Sequence, residues 1–597
     1  MDAPPEESRG EAKKLFLYLL LPALLLRILN LTLCAPDPLV RFPFQDGLSY
    51  AKWALSISQG DWAGLTRPVF YQAPLYPYLL AVQLGVGLGF FPWPQVFNLT
   101  AGTATVALVF LTARRLFGSR AAWWAGGMAA VWGPALMYEL LLDKVACGLF
   151  VTTLGLWLLV DLDSRLRNGD GGTRRRALLI GLTLGAGALL RENLLVLAPA
   201  AAALLYFRQR SPRVPLLLLG GAALGILPAF THNLLVGGEL MPTSYQAGTN
   251  FWIGNHEGAD GTYQPLRAGR GDPIHEEKDA RLLAAVALGI PEERIRPGAV
   301  SRYWWRRGLG FLASNPGKWL GLMLTKLQCF VFHEEAPDSV AYSAFRTGRP
   351  WLLPTRLLAG LVLPLALLGA WLARRHPGAR FGMWLALAAL GSVLAFYVVS
   401  RYRLACLPFL FPFAAHALLR LRTEPRLAWL LLVLLLPSQL WCLAPSRPEG
   451  LGSAQLMALN QVNRGTALSL WTQDGDRAVR AFVKALEFRP DCLAAHRSLG
   501  RLWLKAGRVA EALPHCEAEV RLAPEDAEAW HNLGFAQRRS GDLAAAEESF
   551  REALRLSGDE PPQMTLEQLA LCLRKQGRSK EARALLDGYG GKARPGR

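Results

Sequence analysis

Runs of about twenty mostly apolar residues, rich in Leu, Ala, Val, Gly and Phe, recur along the first three quarters of the chain. That is the length an α-helix needs to cross a bilayer core of roughly 30 Å. The pattern predicts about eleven spans, near 15–34, 95–113, 119–137, 145–162, 177–190, 194–207, 214–234, 355–373, 381–399, 404–420 and 427–444. Between them, arginine concentrates at Arg114, Arg115 and Arg120 and in 165–176, 208–213, 374–380 and 420–426. Basic loops of membrane proteins stay on the cytoplasmic side, which leaves two long loops, 35–94 and 235–354, for the outer side. The stretch 74–91 is apolar enough to span, but counting it would reverse the side of every later basic loop. It is expected as a re-entrant or membrane-surface helix inside the first outer loop.

After Trp441 a different period takes over. Ala478, Ala512 and Ala546 lie 34 residues apart, as do Phe482, Cys516 and Phe550. Pro490 and Pro524 close two units, Leu499-Gly500 and Leu533-Gly534 recur in the next two, and a fourth unit fits at 564–590 if about two residues are inserted near Pro561-Pro562. The pattern resembles the tetratricopeptide repeat, in which small residues let two antiparallel helices approach and a large one fills the gap between them. Such units stack into a superhelix with a concave groove, which implies a protein or peptide partner. The expected organisation is a membrane domain over 1–445, a linker over 446–459, a repeat domain over 460–590 and a basic tail over 591–597.

The 597 residues carry a net charge of +19, yet 52% are hydrophobic and only 19% charged, a balance that a soluble chain of this size would not show. The excess is arginine in short loops between apolar runs, so it reads as a topology determinant and not as a basic face for nucleic acid. The eight cysteines are scattered singly, without a CxxC pair or zinc-type spacing. Lys13 and Lys14 precede the apolar stretch 15–33 without an A-x-A-like exit, so a retained first span is expected. The Ala/Leu/Arg-heavy composition points to a bacterial chain and hence to the inner (plasma) membrane.

Acidic residues beside a membrane span tend to line polar cavities and to be functional. In the first outer loop Phe44-Gln45-Asp46-Gly47 leads into an amphipathic stretch containing Tyr50. Between the third and fourth spans runs Tyr138-Glu139-Leu140-Leu141-Leu142-Asp143-Lys144. Helical spacing would put Glu139 and Asp143 on one face with Lys144 adjacent. The topology sets these carboxylates on the side of Asp46, where they suit a general base, an acceptor-orienting group or metal ligands. The second outer loop opens with a Gly, Asn and aromatic stretch that includes Asn255 and His256, and it closes near His333-Glu334-Glu335. Ser400-Arg401-Tyr402-Arg403 puts two arginines on the side that should be poor in them, and guanidinium forks bind phosphate well.

Asp46 with Tyr50 and Ala54, then Gln72-Ala73-Pro74-Leu75-Tyr76-Pro77, then Arg114-Arg115-Leu116-Phe117-Gly118, 139–144, 248–255 and Arg401-Tyr402-Arg403 follow an order that resembles GT-C glycosyltransferases. The similarity is to the protein O-mannosyltransferase and aminoarabinose-transferase (family 39-like) group, over roughly 10–420. It implies an all-α architecture, a polytopic GT-C bundle followed by the repeat solenoid. It implies a sugar donor on polyprenyl phosphate, with the active site and the repeats on the extracytoplasmic side. Asp46 matches the family's loop-one acid, the base of an inverting displacement. Arg401, Arg403 and Lys144 would hold the donor phosphate, and Tyr50, Asn255, His256, His333 and Glu334 would line the substrate loops. The family often carries an Asp-Glu pair, whereas Gln45 and Gly47 flank Asp46 here; Asp143 or Glu139 is left to supply the second carboxylate. A divalent metal (Mg or Mn) stays open, because this branch usually works without one and its oligosaccharyltransferase cousins need one. The competing classes are an O-antigen ligase or polymerase, a transporter, and a non-catalytic scaffold. A transporter would show inverted repeats and midplane charges, and neither is seen.

Overall fold

A computed structural model describes residues 5–267, 270–331, 336, 339–433, 435, 453–472, 474–557 and 562–590. Among them every regular element is a helix. They fall into two compact units, Met1–Leu451 and Gly452–Arg597.

Ten helices of the first unit position the candidate site: α1 (Gly10–Cys34), α2 (Gln45–Ser58), α3 (Trp93–Phe117), α4 (Val145–Asn168), α5 (Thr173–Ala188), α6 (Arg213–Leu235), α7 (Pro316–Val331), α8 (Pro377–Leu394), α9 (Ser400–Leu404) and α10 (Leu407–Thr423). Five of them, α1, α3, α4, α6 and α8, are long and apolar enough to cross a membrane. Among the described residues this corrects the expectation of about eleven. The apolar run at 119–137 breaks into Ser119–Ala130 and Gly133–Tyr138, where Pro134 opens the second piece. The run at 177–190 lies mostly within α5, which is only 16 residues long, is opened by Arg174, Arg175 and Arg176 and ends at Ala188. That at 194–207 divides into a 3-10 turn, Glu192–Val196, and the 13-residue helix Leu197–Gln209. The run at 404–420 is mostly α10, 17 residues with Pro412 inside. The apolar helix in 355–373 spans Gly360–Leu372, and much of 427–444 lies outside the described residues. Apolar composition alone does not distinguish one continuous helix from two short ones. The stretch 74–91 forms Leu75–Gly85, whose 11 residues reach about 16 Å and cannot cross alone.

Glycine sets the closest packing in this unit. A Cβ at Gly181 of α5 would lie 2.0 Å from the Leu218 carbonyl oxygen, and one at Gly221 of α6 would lie 2.1 Å from that of Leu178. The two backbones therefore touch directly, the small-residue contact that joins helices where water supplies no driving force.

The second unit is a row of helical hairpins: α11 (Ser453–Trp471) with α12 (Gly475–Phe488), α13 (Leu493–Lys505) with α14 (Val509–Leu522), α15 (Ala527–Ser540) with α16 (Leu543–Ser557), and α17 (Gln563–Lys575) with α18 (Ser579–Gly590). The periodic positions are its core: Ala478, Ala512 and Ala546 are fully buried, as are Phe482, Cys516 and Phe550. A Cβ at Gly534 would lie 2.9 Å from the Phe550 ring and one at Gly500 3.0 Å from the Cys516 sulfur, so each glycine makes room for its hairpin's filler. Trp530 Nε1 donates to the Pro524 carbonyl at 2.8 Å, and His496 Nε2 makes the same contact to Pro490 at 2.9 Å, 34 residues earlier.

Candidate active site

Asp46 stands in the first turn of α2, and the residues after it explain its placement. Tyr50, Trp53, Ala54 and Ile57 recur at helical spacing and are buried against Phe70, Tyr76 and Leu80, which fixes the helix. The helix opens under strain: Gln45 has φ +48°, a left-handed conformation that costs a non-glycine residue about 1 kcal/mol or more. Gly47 lies against the next chain segment, where a Cβ would come within 2.4 Å of the Leu142 carbonyl oxygen. That contact draws the Asp46 turn onto the turn holding Asp143, and it leaves no room for a second acid at position 47.

The Asp46 carboxylate is ion-paired with the Arg401 guanidinium of α9, side chains only 12% and 14% exposed. Arg191 Nη2 donates to the Arg401 carbonyl at 2.6 Å. The Arg191 and Arg401 guanidinium carbons lie 5.3 Å and 5.5 Å from the Tyr402 ring centre. Lys144 Nζ lies 5.5 Å from the ring of Tyr50, whose buried hydroxyl has no hydrogen-bond partner among the described residues. Asp143 is buried and accepts the Val145 amide at 3.2 Å, at the positive N-terminal end of α4. Glu192 accepts the Ser244 hydroxyl at 2.6 Å.

These groups act on one another electrostatically. Burial pushes the Asp143 carboxyl up to about 6 against the pull of Arg401, and Asp46 pushes it further. Burial lowers Lys144 despite Glu192, with Arg401 adding to the fall and Asp46 and Asp143 opposing it. Tyr50 rises well above its ordinary value through burial and then through Asp46 and Asp143. Three carboxylates (Asp46, Asp143, Glu192) and three cations (Lys144, Arg191, Arg401) thus meet where helices begin or end. The set is balanced, so an anion entering it gains cations that are already desolvated.

Arg191 and Glu192 were absent from the sequence candidates, although a charged pair interrupting two apolar stretches was the available signal. Glu276 was missed as well. It accepts the hydroxyls of Tyr71 and Tyr263, each at 2.7 Å; burial raises its carboxyl, and Asp46 and Arg401 act on it too.

The other sequence candidates go elsewhere. Residues 139–144 do not continue the helix Gly133–Tyr138, so Glu139 and Asp143 share no helical face. Asn30 and Asn98 take the Leu136 and Leu141 carbonyls, each at 3.0 Å, which holds this segment off the helical path. Glu139 makes a two-oxygen pair with Arg27 of α1, at 2.9 and 3.0 Å. A Cβ at Gly102 would meet its carboxylate at 2.1 Å, so Gly102 of α3 makes room for the pair. Arg403 is buried, and its charge acts on the Cys329 thiol of α7. Asn255 is a tie: its amide donates to Phe251 and Ala395 carbonyls at 2.8 Å, and its oxygen accepts from Lys326 at 3.0 Å. His256 is half-buried, 5.2 Å from the Trp252 ring, and its Nδ1 accepts the Gly258 amide at 3.1 Å. His333 and Glu334 lie outside the described residues. Among the described residues no three His, Cys, Asp or Glu side chains converge on a point that could hold a metal ion.

Comparison with known proteins identifies the second unit. Family profiles described as tetratricopeptide repeat match residues 472–527 and 527–560. Superkiller protein 3 of Schizosaccharomyces pombe is 38% identical over 65 residues, which are 11% of this chain and 5% of that protein. Among solved structures, MamA (residues 41 to the end) from Desulfovibrio magneticus RS-1 is similar over 29% of this chain and 90% of its own, at 26% identity and a TM-score of 0.21. The archaeal oligosaccharyltransferase AglB from Archaeoglobus fulgidus, solved with an inhibitory peptide and a dolichol-phosphate, is similar over 90% of this chain and 72% of its own. Identity there is 14% and the TM-score 0.38, too low to establish a shared fold.

Proposed function

We propose that this chain, which carries tetratricopeptide repeats and helices able to cross a membrane, is a glycosyltransferase that moves a sugar from a polyprenyl-phosphate donor to an acceptor hydroxyl. The reaction takes place on the extracytoplasmic side of a plasma membrane, in bacteria the inner one, and the repeats lie on that side too. The observation that carries the reading is the Asp46–Arg401 ion pair within a mostly buried set of opposite charges.

The polyprenyl chain partitions into lipid while its phosphate enters among Arg401, Lys144 and Arg191. The phosphate competes for Arg401 and releases Asp46, which then takes the proton of the acceptor hydroxyl. The acceptor oxygen forms its bond to the anomeric carbon as the bond from that carbon to the phosphate oxygen breaks, with inversion. Polyprenyl phosphate leaves with the electron pair, and the cations neutralise its charge in a water-poor site, where such interactions are strongest. Asp143 supplies the second carboxylate in this scheme. Burial raises its carboxyl to about 6, so it takes up a proton more readily than an ordinary carboxylate when the donor phosphate enters, and in that form it donates a hydrogen bond to the sugar or phosphate. Glu139, held by Arg27, belongs to the scaffold.

The test is turnover and donor binding by purified wild type beside Asp46→Ala. Turnover lost with donor binding kept supports the reading. Equal turnover by the two would move the chain to a ligase or polymerase class, in which Asp46 has no chemical role.

A further inference from the structure

We infer that the inner face of the repeat unit is a docking site for an acidic polypeptide segment with interspersed apolar residues. The first helices of successive hairpins, α13, α15 and α17, touch one another more closely than the second helices do, which puts them on the concave side of the stack. Lys505, Arg539 and Lys575 stand in the last turns of these helices in equivalent positions, with spacings of 34 and 36 residues that match the two-residue insertion before α17. Arg538 and Arg574 repeat the register one residue earlier.

Five cations therefore form a double row along one rim of the groove. Four are exposed and Arg538 is half-buried. Among the described residues none of the five is in an ion pair. Elsewhere in the same unit Arg489, Arg497, Arg501, Arg508, Arg551, Arg555 and Arg578 are each paired with an Asp or Glu. Asp542, the acid next along the chain after Arg539, is turned away to cap α16 through the Ala545 amide at 3.0 Å. The dipole of each helix favours a cation in its last turn. That accounts for one residue per helix, not for adjacent pairs in register on neighbouring helices, where like charges repel. Such a row costs stability when bare, and an anion that covers it relieves the repulsion.

An apolar step runs beside the cations. Phe535 of α15 lies 5.1 Å and 5.4 Å from the Arg538 and Arg539 guanidinium carbons, and Leu571, 36 residues on, is 37% exposed. Glu528 sits in the first turn of α15, on the opposite rim. Packed helices lie roughly 8–10 Å apart, and an extended chain rises about 3.3 Å per residue. A matching segment thus carries an acid about every third position, with Phe or Leu between.

Binding of a fluorescein-labelled twelve-residue peptide of that pattern, followed by anisotropy with the full chain in phosphatidylcholine nanodiscs, tests this. Arg539→Glu with Lys575→Glu should weaken binding at least ~10-fold, and added salt should weaken it further. Lys484→Glu, on α12, should leave it unchanged. If the reversed protein melts early, Arg539→Gln with Lys575→Gln serves in its place, and Phe535→Ala should weaken binding without changing its salt dependence. No binding by the wild type, equal binding by the reversed variant, or equal loss in Lys484→Glu overturns the inference. So does protection of Lys575 from amine labelling by phosphatidylglycerol nanodiscs with no effect of the peptide, which would make a lipid surface the occupant.

Discussion

Removing the negative charge of Asp46 should tighten donor binding while it stops the reaction. In the resting protein Arg401 is already neutralised by Asp46, so an incoming phosphate must displace that carboxylate. Two unit charges in contact at a surface-like dielectric attract by about 4 kcal/mol. The pair is 12–14% exposed, so solvent reduces the net value to about 2 kcal/mol, some 30-fold in affinity. Asp46→Asn should therefore bind a labelled polyprenyl phosphate about 10- to 30-fold more tightly than wild type, with turnover down by a factor of ~100 or more. Arg401→Gln removes the fork that receives the phosphate, and binding should fall about 10- to 100-fold. In the double variant the Asp46 change should bring no gain, because the cation it would free is gone. Equilibrium binding in nanodiscs reads all four proteins. Weaker binding by Asp46→Asn, or the same gain with and without Arg401, would refute the competition.

Asp143 has its carboxyl raised to about 6 by burial, so the folded state binds its proton more tightly than the unfolded chain does. Its contribution to stability is fully present below about pH 4 and is lost as pH rises to about 6; Asp143→Asn should raise the melting temperature at pH 7 and not at pH 4, and an equal gain at both would count against the burial argument. Gly47→Ala puts a methyl 2.4 Å from the Leu142 carbonyl oxygen, so it should cost about 1–3 kcal/mol and depress turnover with Asp46 intact. Breaking the Arg27–Glu139 pair from one side should cost about 3–5 kcal/mol, whereas Arg27→Met with Glu139→Leu should restore most of that and keep turnover. Loss of turnover in that folded double variant would return Glu139 to the chemistry.

The repeats were legible because each carries its own fold: the Ala, Gly and large-residue positions meet within one hairpin, close in sequence. The first turn of α2 was legible too, since the face formed by Tyr50, Trp53, Ala54 and Ile57 is written at helical spacing. Contacts across the membrane unit were not. Glu139 finds its partner, Arg27 of the first apolar run, 112 residues away. Asn255 sat in a loop that suited a ligand, yet it ties α7 and the end of α8 together through Lys326, 71 residues on. The span count erred for a local reason: Pro134, Pro412 and the arginines that open α5 divide or shorten runs that composition alone joins. Gly47, which marked a departure from a paired acid, proved to be where one backbone rests on another.

The most direct measurement is release of polyprenyl phosphate from a radiolabelled polyprenyl-phosphate sugar by the purified wild-type protein, followed with the appearance of label on an acceptor. The expected result is equal amounts of freed polyprenyl phosphate and transferred sugar, increasing with time and absent in Asp46→Asn. A wild-type protein that neither binds the donor nor releases its phosphate would contradict the account.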